Sequence, residues 1–252
     1  MPPSKTTQAS TAPSSRSASS PLIRYYLAAY NIVCVVLWTT VTLRTFLLVP
    51  ILAPRGHLPA IFTHVFSPLL TVTQTLAVLE ILHSLIGVVR APFFTTFLQV
   101  SSRLLLVWGV MFLFRDQGNG GIVGGDYEGA GKGLVQGPGA KVGDLAFLGC
   151  IGAWGITEII RYGFFALQAL GLRVPSWWMW LRYNTFFVLY PIGISSECIL
   201  IFKALEPAGE LNLLYKWFLI TNLVIYVPGS YILYTHMMAQ RRRVLRGKKR
   251  VD

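Results

Sequence analysis

Apolar residues run along the chain in six stretches of membrane-crossing length, at about 25–48, 60–89, 93–114, 145–170, 177–204 and 214–236. About 20 apolar residues cross a bilayer as an α-helix, which satisfies its own backbone polar groups without water. The pattern predicts an all-α polytopic membrane protein, a bundle of six transmembrane helices. Pro50, Pro54, Pro92, Pro175 and Pro207 fall near the ends of these stretches, where a missing N–H does least harm. Residues 1–21, rich in Ser, Thr, Ala and Pro, read as a disordered tail without the apolar core of a cleavable signal. Residues 22–238 form the membrane domain, 239–252 a basic tail, and the Gly-rich segment 116–143 a flexible connector between the third and fourth spans.

Composition agrees with the pattern. The chain is 54% hydrophobic and only 13% charged, where soluble domains carry roughly a quarter charged residues. The net charge of +12 comes largely from the ends, above all from "RRRVLRGKKR" at 241–250. After an apolar helix such a run reads as an anchor on anionic lipid, and nucleic acid is not expected as a partner. An even number of spans places both termini on one side, and the basic tails with Arg24, Arg90 and Arg173 make that side the cytosol. Cys34, Cys150 and Cys198 lie far apart in apolar runs, so they read as small buried hydrophobes rather than a disulfide or metal framework. The connector contains "EGAGKG", but Asp126 stands where a phosphate-binding loop needs its first Gly and Gly133 where it needs a hydroxyl.

The candidate chemistry lies in the polar residues inside the spans. Arg44, Glu80, His83, Arg103, Glu158, Arg161, Arg182 and Glu197 all fall at membrane depth, where an isolated charge costs roughly 2.5–3.5 kcal/mol and pairing inside a bundle is expected. Helical spacing aligns Glu80 with His83 and Gly87, Gln99 with Ser102 and Arg103, Glu158 with Arg161 and Tyr162, and Tyr183 with Tyr190, Ile194 and Glu197. Three acids, Glu80, Glu158 and Glu197, thus face three arginines, Arg103, Arg161 and Arg182, and a polar pocket between helices follows. Arg44 and Arg182 are expected to snorkel to an interface, and His83 to be a core histidine. Glu197 stands out, because Tyr190 precedes it by two turns with Pro191 and Gly193 between them. A bend at that Pro-Gly pair is expected to bring the two side chains together.

The run "RYNTFFVLYPIGISSE" at 182–197, with "WGITEIIRYGFF" at 154–165, "LEILHSLIGVVR" and "QVSSRLLLVWG", resembles the very-long-chain (3R)-3-hydroxyacyl-CoA dehydratases, the protein tyrosine phosphatase-like membrane proteins, over about residues 22–240. The resemblance implies an endoplasmic-reticulum enzyme, multi-pass with cytosolic termini. It would dehydrate 3-hydroxyacyl-CoA to trans-2-enoyl-CoA beside the condensing enzyme and the ketoacyl and enoyl reductases of fatty-acid elongation. It places the catalytic pair on Tyr190 and Glu197, with Glu158, Arg161 and Tyr183 as supporting candidates, and requires no cofactor or metal. Elimination takes one group to accept the C2 proton and one to protonate the departing C3 hydroxyl. Glu197 as base and Tyr190 as donor is one assignment, and the reverse stays open. The phosphatase motif HCxxGxxR reads "HSLIGVVR" here, with Ser84 replacing the thiolate, so phosphatase activity is not expected. Arg173, Arg90 and the C-terminal basic run are the candidates for holding the phosphates of CoA. The terminal "KKRVD" is similar to a dilysine retrieval signal. The rivals are a non-enzymatic scaffold of the elongation enzymes, expected to lack Tyr190 or Glu197, and a small transporter using the buried acid and Arg pairs, expected to show repeated broken helices.

Overall fold

A computed structural model of the chain describes residues 20–89, 91–117, 120–125 and 139–248, the side chains of 245–248 excepted. The described residues are helical nearly throughout, and six helical segments are long and apolar enough to cross a membrane, Pro21–Arg55, Pro59–Leu85, Phe93–Phe112, Val142–Leu170, Phe186–Leu211 and Leu213–Val244. The expected all-α fold class is borne out.

Helix α1 (Pro21–Leu52) starts at Ser20, whose hydroxyl accepts from the Ile23 N–H at 3.4 Å, with Pro21 in the first turn where its missing N–H costs nothing. The second span is interrupted. It runs as α2 (Pro59–Val65), a wide turn at Phe66–Leu70, α3 (Thr71–Thr75) and α4 (Val78–Leu85). The interruption centres on Ser67, extended at φ −116° and ψ 130°, the conformation that a following proline, Pro68, imposes by clashing with the helical alternative. The third span is α5 (Phe93–Leu104), continued by a wide-turn segment Leu105–Phe112. Then come α6 (Val142–Leu170), α7 (Ser176–Asn184), α8 (Phe186–Leu211) and α9 (Leu213–Lys248).

Two expectations about the fifth span need correction. The crossing helix begins at Phe186 and runs to Leu211, while the Trp-rich stretch before it forms the separate helix α7. Helix α8 also continues unbroken through Pro191 and Gly193. The backbone break falls instead at Ser67–Pro68 in the second span.

Helix α6 is the central element, packed on α1 and on α8, which in turn packs on α9. Small residues permit the close approach. A Cβ at Gly155 would overlap the Thr42 side chain of α1, and one at Gly149 would come within 2.5 Å of the Ser196 hydroxyl of α8. The core around this contact contains Trp38, Phe62, Phe66, Met111, Phe147, Ile151 and Leu200. Outward positions such as Val36, Leu47, Phe94, Phe202 and Val227 expose large apolar side chains, as a lipid-facing surface requires.

The bundle has two distinct ends. At the tail end, Arg24 near the start of α1 donates to the Ala169 carbonyl at the end of α6 at 3.3 Å, and Arg241 near the end of α9 donates to Asn184 at 3.1 Å. The first and last helices therefore have their outer ends on the same side, as the even span count predicts. At the loop end, Asp144 accepts from the N–H groups of Gly124 at 2.7 Å and Lys141 at 2.9 Å, while Lys141 pairs with Asp116. The described flanks of the Gly-rich connector are thereby fastened to the bundle. Its "EGAGKG" stretch, the N-terminal tail to residue 19, Arg90 and the terminal KRVD lie outside the described residues.

Candidate functional site

The polar stripes predicted along single helices assemble across helices. Glu158 on α6 is fully buried and accepts from Arg103 of α5 and from Arg161 one turn along at 2.6 Å. Arg161 also grips Glu80 of α4 with both terminal nitrogens, at 2.9 and 2.7 Å. Tyr162 donates its hydroxyl to the same Glu80 carboxylate. The result is an alternating chain of charge, Arg103, Glu158, Arg161 and Glu80, in which each carboxylate meets at least one guanidinium. Alternation of this kind is how charges persist in a low-dielectric interior. Beside it, Tyr26 and His83 share a 2.7 Å hydrogen bond, and Tyr30 packs edge-on to the imidazole at 5.0 Å. His83 is the expected core histidine.

Glu197 is treated differently. One carboxylate oxygen accepts from the indole N–H of Trp154 at 2.8 Å and the other from the Tyr226 hydroxyl of α9 at 2.7 Å. Both partners are neutral, so among the three glutamates Glu80, Glu158 and Glu197, Glu197 is the one not bonded to a guanidinium. Trp154 is 4% exposed and also carries the Arg103 guanidinium over its ring face at 5.4 Å. One side chain thus touches both the ion chain and Glu197.

Tyr190, two turns before Glu197 on α8, donates its hydroxyl to the Ser230 carbonyl of α9 at 2.9 Å, and its ring lies 5.8 Å from that of Tyr234. The two candidate residues do not bond each other. They reach α9 at Ser230 and Tyr226, positions four apart on one helical face and about 6 Å apart along the axis.

Of the supporting candidates, Glu158 and Arg161 lie in the ion chain that meets Glu197 through Trp154. Tyr183 sits on α7 beside Arg182, whose guanidinium lies 6.0 Å from the Tyr183 ring and 4.2 Å from the Phe164 ring. It is not brought to Glu197. Arg182 pairs with aromatic faces rather than with the third acid. Ser84, at the phosphatase-loop position, donates to the Ile81 carbonyl of its own helix at 2.8 Å. Two surface recesses lie elsewhere, one of about 550 Å³ beside Lys203, Glu206 and Lys216 and another of about 480 Å³ beside Thr75 and Trp108. Among the described residues, no cluster of His, Cys, Asp and Glu is arranged to hold a metal ion.

Sequence reasoning missed Trp154 and Tyr226. Trp154 was within reach, since it stands four residues before Glu158 and extends the same stripe by one turn. Tyr226 gave no signal, because nothing in α9 records which face of α8 it meets.

Comparison with known proteins bears on this arrangement. The family model described as protein tyrosine phosphatase-like protein, PTPLA, matches residues 74–247. A fission-yeast protein (Schizosaccharomyces pombe) named probable very-long-chain (3R)-3-hydroxyacyl-CoA dehydratase is 39% identical over 219 residues, 87% of this chain and 92% of the relative. The rice (Oryza sativa subsp. japonica) protein very-long-chain (3R)-3-hydroxyacyl-CoA dehydratase PASTICCINO 2A is 37% identical, covering 90% and 95%. Human very-long-chain (3R)-3-hydroxyacyl-CoA dehydratase 2 is 33% identical, covering 89% and 82%. No solved structure matches the chain.

Proposed function

The chain belongs to the protein tyrosine phosphatase-like, PTPLA, family and is a 3-hydroxyacyl-CoA dehydratase of very-long-chain fatty-acid elongation, and on that premise we propose that Tyr190 and Glu197 carry the elimination. The observation that carries the reading is the contrast among the three glutamates Glu80, Glu158 and Glu197. Glu80 and Glu158 are bound by arginine, whereas Glu197 is held by a Trp N–H and a Tyr O–H and forms no ion pair among the described residues. Trp154 can only donate, so the oxygen facing it must be an acceptor, which suits Glu197 as the base that takes the C2 proton. Tyr190 is a neutral donor bound to a backbone carbonyl, and it turns that O–H to the departing C3 oxygen. The C2 proton goes to Glu197, the Tyr190 proton leaves with the C3 hydroxyl as water, and proton return from Glu197 to the tyrosinate resets the pair.

The cytosolic placement of the tail end follows from its basic residues, and the endoplasmic reticulum from the elongation role. The condensing enzyme and the two reductases are the partners that such a role implies. The test is turnover of a long-chain 3-hydroxyacyl-CoA by the purified protein beside Tyr190→Phe and Glu197→Gln. Both variants are expected to fold and to lose at least about 100-fold in kcat. Retention of activity by either one removes that residue from the mechanism.

A further inference from the structure

We propose that Arg241, held by Asn184 above the ring of Phe187, binds the diphosphate of the CoA moiety and so sets how deep the thioester is delivered. This rests on the reading of Tyr190 and Glu197 as the reacting pair. Among the described cations at the tail end, Arg173 is exposed on the link between α6 and α7, and Arg24 is engaged with the Ala169 carbonyl at the end of α6. Arg241 is fixed. Its Nε donates to the Asn184 side-chain oxygen at 3.1 Å, and its guanidinium carbon lies 5.2 Å from the Phe187 centroid. One N–H is thus used, and both terminal nitrogens of the planar fork remain for a phosphate, the geometry that guanidinium suits best.

The surroundings favour an anion. Arg241 forms no ion pair among the described residues, and the segments that meet at this end, 21–25, 165–184 and 236–244, contain no Asp or Glu. Arg242 and Arg243 follow it, both exposed. An aromatic seam then leads inward. Phe187 lies 6.5 Å from Tyr234, and Tyr234 lies 5.8 Å from Tyr190.

The length of the seam fits the ligand. Tyr190 bonds the Ser230 carbonyl, and the eleven residues of α9 from Ser230 to Arg241 rise about 16 Å. From the thioester sulfur of an acyl-CoA to its nearer phosphorus there are about 13 bonds, which at about 1.25 Å of extended length each also span about 16 Å. The pantetheine arm is therefore long enough to run along the aromatic seam from Arg241 to Tyr190 with the nucleotide outside the membrane.

An anionic lipid headgroup offers the same phosphate chemistry, so the experiment separates the two sources. The parent and Arg241→Gln, reconstituted in phosphatidylcholine vesicles, are assayed with a long-chain 3-hydroxyacyl-CoA and with the matching 3-hydroxyacyl-pantetheine thioester, which lacks the diphosphate and nucleotide. Arg241→Gln is expected to raise KM for the CoA ester about 10- to 100-fold, the scale of a lost charge-assisted pair, with kcat unchanged. It is expected to leave the kinetics of the pantetheine thioester as in the parent. Arg241→Lys, which keeps the charge and loses the fork, should fall between. Equal effects on both thioesters overturn the proposal, as does an effect that appears only when anionic lipid is added. Turnover surviving in Tyr190→Phe and Glu197→Gln would instead overturn the catalytic pair, a result read independently of the two-substrate comparison.

Discussion

Replacing Trp154 with Phe removes one N–H from Glu197 and little else from the site. The indole donates to one carboxylate oxygen at 2.8 Å while Tyr226 holds the other at 2.7 Å, so the carboxylate is loosened and not released. A hydrogen bond to a charged group contributes about 1.5–3 kcal/mol. With the second donor in place the lower part of that range applies. At about 1.4 kcal/mol per factor of ten, kcat should fall roughly 10- to 30-fold. KM should change little, because the indole faces Glu197 and Arg103 rather than the seam that leads to Arg241. The smaller ring also leaves a void at a position only 4% exposed, so thermal unfolding in detergent must be measured beside the kinetics. The decisive comparison is the same substitution in a Glu197→Asp background, where the shortened carboxylate no longer reaches the indole. There Trp154→Phe should cost almost nothing further. A parent-like kcat in the single variant refutes the argument, and so does an equal loss in both backgrounds, which would mean that Trp154 acts by packing alone.

The ion chain and the helix contacts lead to two more tests. Glu158→Gln leaves Arg103 without a carboxylate and should destabilise the fold by about 3–5 kcal/mol, read as a lowered midpoint of unfolding, whereas Glu158→Leu combined with Arg103→Met should cost less because no charge is left unpaired; a Gln variant as stable as the parent contradicts the pairing. Gly155→Val, whose side chain would overlap Thr42, should prevent α1 and α6 from meeting and abolish accumulation of folded protein. Gly152→Ala, whose Cβ would sit 3.7 Å from Phe46, should be tolerated, and equal tolerance of both would show that the small residues do not set that contact.

Hydropathy was enough to locate the six spans because membrane crossing is a property of each helix by itself. It failed at the start of the fifth, where "SWWMWLRYN" is apolar by count while its three tryptophans and Arg182 have the amphipathic character of an interface, and the chain forms the separate helix α7 there. The stripes of Glu80 with His83 and of Glu158 with Arg161 were legible for the same reason, since i+3 spacing is written within one helix. What was not legible was the partner of each stripe. Three acids and three arginines suggested three pairs, yet Arg161 serves two acids, Arg182 rests on Phe164 and Phe165, and Glu197 receives neutral donors. Which helices face each other depends on the rotation of every helix in the bundle, and one helix's sequence does not encode that.

The departure at Glu197 is itself informative. A carboxylate locked to arginine in a low-dielectric interior is stabilised in its charged form and gives up little by remaining so, which suits a structural role. One held only by the O–H and N–H dipoles of Tyr226 and Trp154 is oriented without being neutralised, and can take a proton without breaking an ion pair. The arginines are then used in the ion chain, with Arg103 and Arg161 balancing Glu158 and Glu80, and Arg103 over the ring face of the indole that orients Glu197. The charges that hold the helices together are thus separate from the carboxylate proposed as the base, and Trp154 is where the two sets meet.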